Sequence, residues 1–288
     1  MNAMRSRDEL LEIAKLSPAA VARHDKRAWV DLFSRHGIIE DPVGSRPHHN
    51  GLYDRRSGVR GAAPIERFFD TFISPNDITF HVDHDIVAAP LVVRDLAIEL
   101  VMAPGVTARV PMHLLYEITE EEGALKIAHL RAHWEMLPMV RQVLNKGWPG
   151  LMVLNRLGIR LITTQGVGAV FGFSLALLGL HAAGKTALRR FVDAVNRKDR
   201  VTLASLFDER NDGIAFPAAG RCVAPESFCE QVDLSLSVTK LISSGYVTSC
   251  SFTVRSGDKE SAGVGLFEFN SRTRKLHAVR LYADAALP

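Results

Sequence analysis

A carboxylate beside proline, at the end of an apolar run, is the residue of this chain best suited to moving a proton. Asp41 follows Ile38-Ile39-Glu40 and precedes Pro42-Val43-Gly44, where a short strand gives way to a loop. Apolar neighbours disfavour the charged form of an acid and bring it toward the range of a general base. The competing reading is an aspartate that caps the following turn. His81-Val82-Asp83-His84 sets His81 and Asp83 on one strand face, half of a metal site or part of a dehydratase pair. A third ligand at useful spacing is lacking, so no metal is expected. His48 and His49 fall in a polar loop, Ser45 to Gly61, that either lids a pocket or is solvated. Gly179 to Thr186 satisfies the phosphate-loop pattern GxxxxGK[ST]. Without a following metal-binding Asp or a base-recognition sequence, it reads as a Gly-rich entry to a helix.

The elements that must position Asp41 follow from periodicity. Ser6-Arg7-Asp8-Glu9 ahead of Leu10, Leu11 and Ile13 is a capping-box start to a helix, and Ser17-Pro18 restarts the pattern as a new cap and first turn. Helical spacing continues from Ala19 to Phe33 with Asp25 as a local cap, and Pro64 to Phe72 is a short helix. Strand-like runs cover 78–83, 91–102, 107–118 and 126–134, joined by turns at Asn76-Asp77, Pro104-Gly105 and Glu120 to Gly123. Helices followed by a run of antiparallel strands give an α+β unit, a curved sheet wrapping a helix.

The order then recurs. Ala20 to Asp25 through Phe33 is echoed by Ala194 to Asp199 through Phe207, and Leu125 to Pro138 by Lys275 to Pro288. The expected organisation is a first α+β unit over 1–138, an apolar and basic helical linker over 139–185, and a degenerate second unit over 186–288. The copies differ where it matters: Ile39-Glu40-Asp41-Pro42 corresponds to Ile214-Ala215-Phe216-Pro217, which has no acid. Between them, Arg141, Lys146, Arg156 and Arg160 stand among apolar residues, and 161–183 is free of charge. A hairpin buried between the units and an in-plane attachment to a membrane surface through 139–183 are the two leading readings, ahead of a span.

Composition sets the remaining bounds. A net charge of +3 and cations spread without interleaved aromatics exclude a nucleic-acid partner. The three cysteines lack ligand or disulfide spacing, and the N-terminus opens with a capping box where a secretory signal would be. A cytoplasmic protein without a cofactor is expected.

Gly37 to Gly44, the stretch Gly61 to Phe69 and the closing strand ending at Trp134 resemble the ketosteroid isomerases, members of the nuclear-transport-factor-2-like (NTF2-like) folds. The resemblance covers residues 18–137 and, at the level of the fold, 187–288. It implies two cone-shaped α+β barrels, a small hydrophobic ligand such as a steroid or polyketide, and proton transfer next to a ketone with Asp41 as base. Trp134 matches an aromatic lining the pocket, and Phe33 and Phe69 fall where two supporting tyrosines stand. The two oxyanion donors do not match: the tyrosine's place falls at Ser17 and the protonated acid's at or beside Leu114. The substitutes considered are Tyr116, two residues on along the same strand face, and His113, which needs a register that turns it inward. A lyase or dehydratase using His84 or His113, or a non-catalytic carrier of hydrophobic ligands, are the alternatives. The resemblance also implies pairing of the two copies within the chain, and allows a homodimer.

Overall fold

The computed structural model describes residues 6–50, 64–217, 222–231 and 234–283. It divides into two compact units, Met1–Leu177 and Leu178–Pro288. Each is an α+β unit built on a six-stranded mixed sheet.

In the first unit, Ser6 caps α1 (Arg7–Ala22) through the reciprocal bonds of a capping box, as the sequence implies. The helix does not restart at Ser17-Pro18; it runs straight through them. Pro18 has no N–H to give the carbonyl of Ala14 four residues back, which ordinarily breaks a helix. Here the guanidinium of Arg94 supplies the missing donor, Nη1–H to Ala14 O at 3.3 Å. Ser17 is therefore no cap, and its buried side chain is free for other work. Asp25 does cap α2 (Lys26–Asp31), accepting from the Ala28 N–H at 3.0 Å.

The strands β1 (Phe33–Glu40), β2 (His48–His49), β3 (Asp77–Ala88), β4 (Leu91–Ala103), β5 (Val106–Glu121) and β6 (Ala124–His133) are ordered β2-β1-β6-β5-β4-β3. All pairings are antiparallel except β1 with β6. His48 and His49, expected in a polar loop that either lids a pocket or is solvated, pair with Ile39 and Ile38 of β1. The rest of that loop, 51–61, lies outside the described residues. Register shifts at Val82/His84, Val101/Ala103 and Glu117/Ile118 are irregularities of the kind that bend strands. The helix α3 (Pro64–Phe68) passes into a π-helical turn, Phe69–Ile73.

The segment after Pro138, which the sequence reading sets apart as a linker, packs onto this first unit as far as Leu177. It forms α4 (Met136–Leu144), α5 (Trp148–Gln165), α6 (Val167–Ser174) and a 3-10 turn, Leu175–Leu177. Polar tethers fasten it. Gln142 bonds both backbone groups of Arg109 on β5, Thr164 and Gln165 meet Thr71, and the Arg46 N–H donates to Gly172 O. Among the described residues no single helix is long and apolar enough to cross a membrane; one bent pair, Val170–Leu177 with Ala182–Asn196, qualifies by length and composition. At the α4–α5 corner Gly150 lies so close to α4 that a Cβ there would sit 1.8 Å from Val143 O. Backbone cannot yield as a flexible side chain does, so Gly150→Ala should destabilise the chain by about 1–3 kcal/mol, the usual cost of overpacking, read as a lower midpoint in urea at unchanged slope.

The second unit repeats the plan. The helices are α7 (Ala182–Asn196), α8 (Arg200–Ser205) and α9 (Pro225–Gln231), and the strands are β7 (Gly213–Ala215), β8 (Cys222–Val223), β9 (Ser235–Ser244), β10 (Val247–Ser256), β11 (Lys259–Phe269) and β12 (Leu276–Ala283). Their order, β8-β7-β12-β11-β10-β9, matches the first sheet position for position. Local detail repeats too. His24 and Lys198 both have positive φ, and Asp25 and Asp199 cap the next helix alike. The glycines of the phosphate-loop pattern serve packing. Leu180 N–H donates to Gly245 O, and a Cβ on Gly184 would meet Thr248 Oγ1 at 2.3 Å. The residues before Ala182 form a turn, not the strand that a phosphate loop follows.

Candidate functional site

The sheet of the first unit alternates strictly enough that one face makes a cavity. On β5 Val110, Met112, Leu114 and Tyr116 point into it, on β4 Ile98, Leu100 and Met102, and on β3 Ile78 and Phe80. Helices α1 to α3 close the opposite side with Val21, Trp29 and Phe68, and the former linker adds Met139, Leu157 and Phe173. The cavity measures about 120 Å³, and its walls are overwhelmingly apolar.

Besides Asn76, whose amide donates to Phe72 O at 2.7 Å, two polar clusters interrupt those walls. The first is Asp41, at the end of β1. The indole N–H of Trp134 donates to its Oδ1 at 2.5 Å and is the donor to this carboxylate among the described residues. Burial raises the acid's pKa from 3.8 to about 6, against the smaller, lowering effect of the indole. The peptide between Asp41 and Pro42 is cis, as is that between Phe216 and Pro217 in the second unit, where phenylalanine replaces the acid.

The second cluster is Tyr116 with Ser17 and Arg94. The phenol is buried, and burial raises its pKa; hydrogen bonds from Ser17 and Arg94 and the guanidinium charge oppose this. Ser17 Oγ also accepts from the Trp29 indole at 3.1 Å. Arg94 in turn is held by Asp85, Nε to Oδ1 at 2.7 Å and Nη2 to Oδ2 at 3.3 Å, a forked pair with the guanidinium buried. An acid poised near neutrality and a supported hydroxyl donor thus line one greasy chamber. Such a pair can take up a proton and hold a developing negative charge.

Of the residues singled out from the sequence, Asp41, Leu114, Tyr116 and Trp134 meet at this cavity. Phe33 and Phe69 do not line it. They pack behind, edge-on and tilted against Trp29 with centroids 4.9 and 5.5 Å away, while Phe68 and Phe72 take the lining positions. His113 and His84 lie elsewhere as well. With Met112 and Leu114 turned inward, His113 must face the other side of the sheet, where it is buried. There the register sets His84, Asp95, His113 and His133 in one row across β3 to β6, with His113 Nε2 3.5 Å from Asp95 Oδ1. Burial first, then His113 and Arg131, push the His133 pKa down to about 3, which keeps that ring neutral. Among the described residues no group of three or more His, Cys, Asp or Glu is arranged to hold a metal ion. His48 packs edge-on to Phe68, and burial, aided by His49 and Arg46, pushes it down to about 4.

Arg94 and Asp85 carry no sequence signal as site residues, since a charged pair on adjacent strands reads as solvated surface. Met139 and Leu157 were legible only as the inward stripe of an amphipathic helix.

No known family model matches this chain, and no curated protein matches it. Similar solved structures exist. A Mycobacterium tuberculosis protein in complex with estradiol-17beta-hemisuccinate is 23% identical, with 46% of this chain and 96% of that one covered at a TM-score of 0.36. The Delta 5-3-ketosteroid isomerase of a Mycobacterium species gives 22%, 46%, 96% and 0.36. An M. tuberculosis LEH-like epoxide hydrolase gives 15%, 52%, 96% and 0.37. Each of these likenesses extends over about half of this chain.

Proposed function

We propose that the first unit is an isomerase of the ketosteroid isomerase type, acting on a hydrophobic carbonyl compound such as a steroid or polyketide. The observation that carries this is Asp41, an acid with pKa about 6 facing a chamber walled almost wholly by apolar side chains. Such a chamber selects an apolar guest, and the acid is basic enough at neutral pH to take a proton from carbon next to a ketone.

With Oδ1 engaged by Trp134, Oδ2 takes the proton from the α-carbon of a β,γ-unsaturated ketone. The C–H electron pair moves into the conjugated system and the carbonyl oxygen becomes a dienolate oxyanion. Tyr116, whose phenol interacts with Ser17 and Arg94, supplies the O–H that donates to that oxyanion. The carboxylic acid then returns the proton two carbons away, and the product is the conjugated enone. Asp41 ends as it began, and no redox partner is needed. Tyr116 thereby stands in for one of the donors that the resemblance leaves unmatched.

The experiment is a pH–rate profile on a β,γ-unsaturated ketosteroid, read by the absorbance of the conjugated enone. Protonated Asp41 cannot accept a proton, so kcat/KM should rise about tenfold per pH unit at low pH and level off above a midpoint near 6. Absence of turnover across a panel of such ketones, alongside ligand-induced thermal stabilisation, would instead identify a carrier.

A further inference from the structure

Helices α4 to α6 are apolar on two opposite sides. On α5, Val153 and Leu161 are buried and Leu157 lines the cavity, yet Trp148, Leu151, Ile159 and Ile162 recur at helical spacing on the outward side and are exposed. On α6, Phe173 lines the cavity while Val167 and Phe171 point outward, followed by Leu175 at the same spacing. Leu137 and Leu144 do the same on α4. Trp148 and Phe171 are each 72% exposed, the residue types least expected to face water in this way. A helix that merely covers a pocket needs one apolar stripe, and its outer face is normally polar.

The charge of this segment is equally one-sided. Residues 136–177 hold Arg141, Lys146, Arg156 and Arg160 and not one Asp or Glu. Arg141, Lys146 and Arg156 are exposed. Arg156 and Arg160 follow one flank of the apolar stripe on α5, and Arg141 stands between Leu137 and Leu144 on α4. Apolar side chains rimmed by cations, with an indole among them, are the makings of a helix lying in the plane of a membrane.

We infer that α4 to α6 seat the first unit on a bilayer surface rich in anionic lipid. The outer stripes enter the headgroup boundary, and the cations pair with lipid phosphates. The inner stripes of the same helices remain the roof of the cavity, so an apolar ligand dissolved in the bilayer has these helices alone between it and Asp41. The seating is independent of the reaction assigned to Asp41.

The test uses the full chain in vesicle flotation, with phosphatidylcholine alone and with a phosphatidylcholine–phosphatidylglycerol mixture. Trp29 and Trp134 are buried, so a blue shift of tryptophan emission on adding vesicles reports on Trp148. Partition into the anionic vesicles is expected to exceed that into the neutral ones by about tenfold or more at low salt, and to fall as salt rises. Trp148→Ser with Phe171→Ser should lower it about tenfold or more, and so should Arg141→Glu with Arg156→Glu, each at an unchanged Tm. Asp41→Asn should bind vesicles as the parent does, so loss of turnover and loss of seating are told apart. A folded parent that stays off both kinds of vesicle overturns the inference, as do variants that bind as well as the parent. Self-association of the parent, abolished by Trp148→Ser with Phe171→Ser in the absence of lipid binding, would assign the surface to a second copy of the chain instead.

Discussion

Asp41→Asn should lower turnover of a β,γ-unsaturated ketone by about 10³-fold, the middle of the range that general acid–base catalysis contributes, and should make the protein more stable at neutral pH. Asparagine keeps an oxygen for the Trp134 indole and fills the same space, so ligand binding should survive. The gain in stability follows from the pKa of the acid it replaces. Folding raises that value from 3.8 to about 6, so between these limits the native state binds more protons than the unfolded chain. Stability is therefore lost as pH rises through this window, and the full penalty applies above it. A shift of this size corresponds to about 3 kcal/mol, trimmed to roughly 2 because Asp41 keeps contact with the cavity. The variant should thus unfold at a higher Tm than the parent at pH 8, with the difference vanishing near pH 4. Equal Tm values at both pH values would mean that the carboxylate meets bulk water in solution, and the case for it as a tuned base would go with them.

Arg94→Met is expected to cost about 3–5 kcal/mol, the usual loss when one partner of a buried ion pair is removed. Two groups are stranded together, the Asp85 carboxylate and the Ala14 carbonyl that Pro18 leaves without its helical donor, while the Tyr116 hydroxyl keeps Ser17 alone. Asp85→Leu combined with Arg94→Met removes the orphaned charge and should recover much of the stability, because paired apolar replacements of a buried pair are often neutral. Activity should not recover with it. Arg94 is a positioning residue, and without it Tyr116 loses one of the two partners that hold its hydroxyl. A double variant restored in urea denaturation but still slow in kcat, with KM little changed, would show this division; full recovery of kcat would remove Arg94 from the catalytic account.

Repeats and alternation could be read directly from the order of the residues. Period-2 runs placed Leu114 and Tyr116 on one strand face, the capping box fixed the start of α1, and the echo of Asp25 in Asp199 announced two copies of one topology. Asp41 was legible because proline, glycine and isoleucine around it are local signals, and local signals act within a few residues. Contacts between residues far apart along the chain were settled by packing. Pro18 argued for a helix break, and a guanidinium from β4, 76 positions on by number, overrode it by supplying the missing hydrogen bond. Phe68 and Phe72 line the cavity in place of Phe69 where α3 passes into a π-helical turn. The roof at Met139, Leu157 and Phe173 is set by where α4 to α6 dock, and docking depends on surfaces remote in sequence whose fit no periodicity encodes.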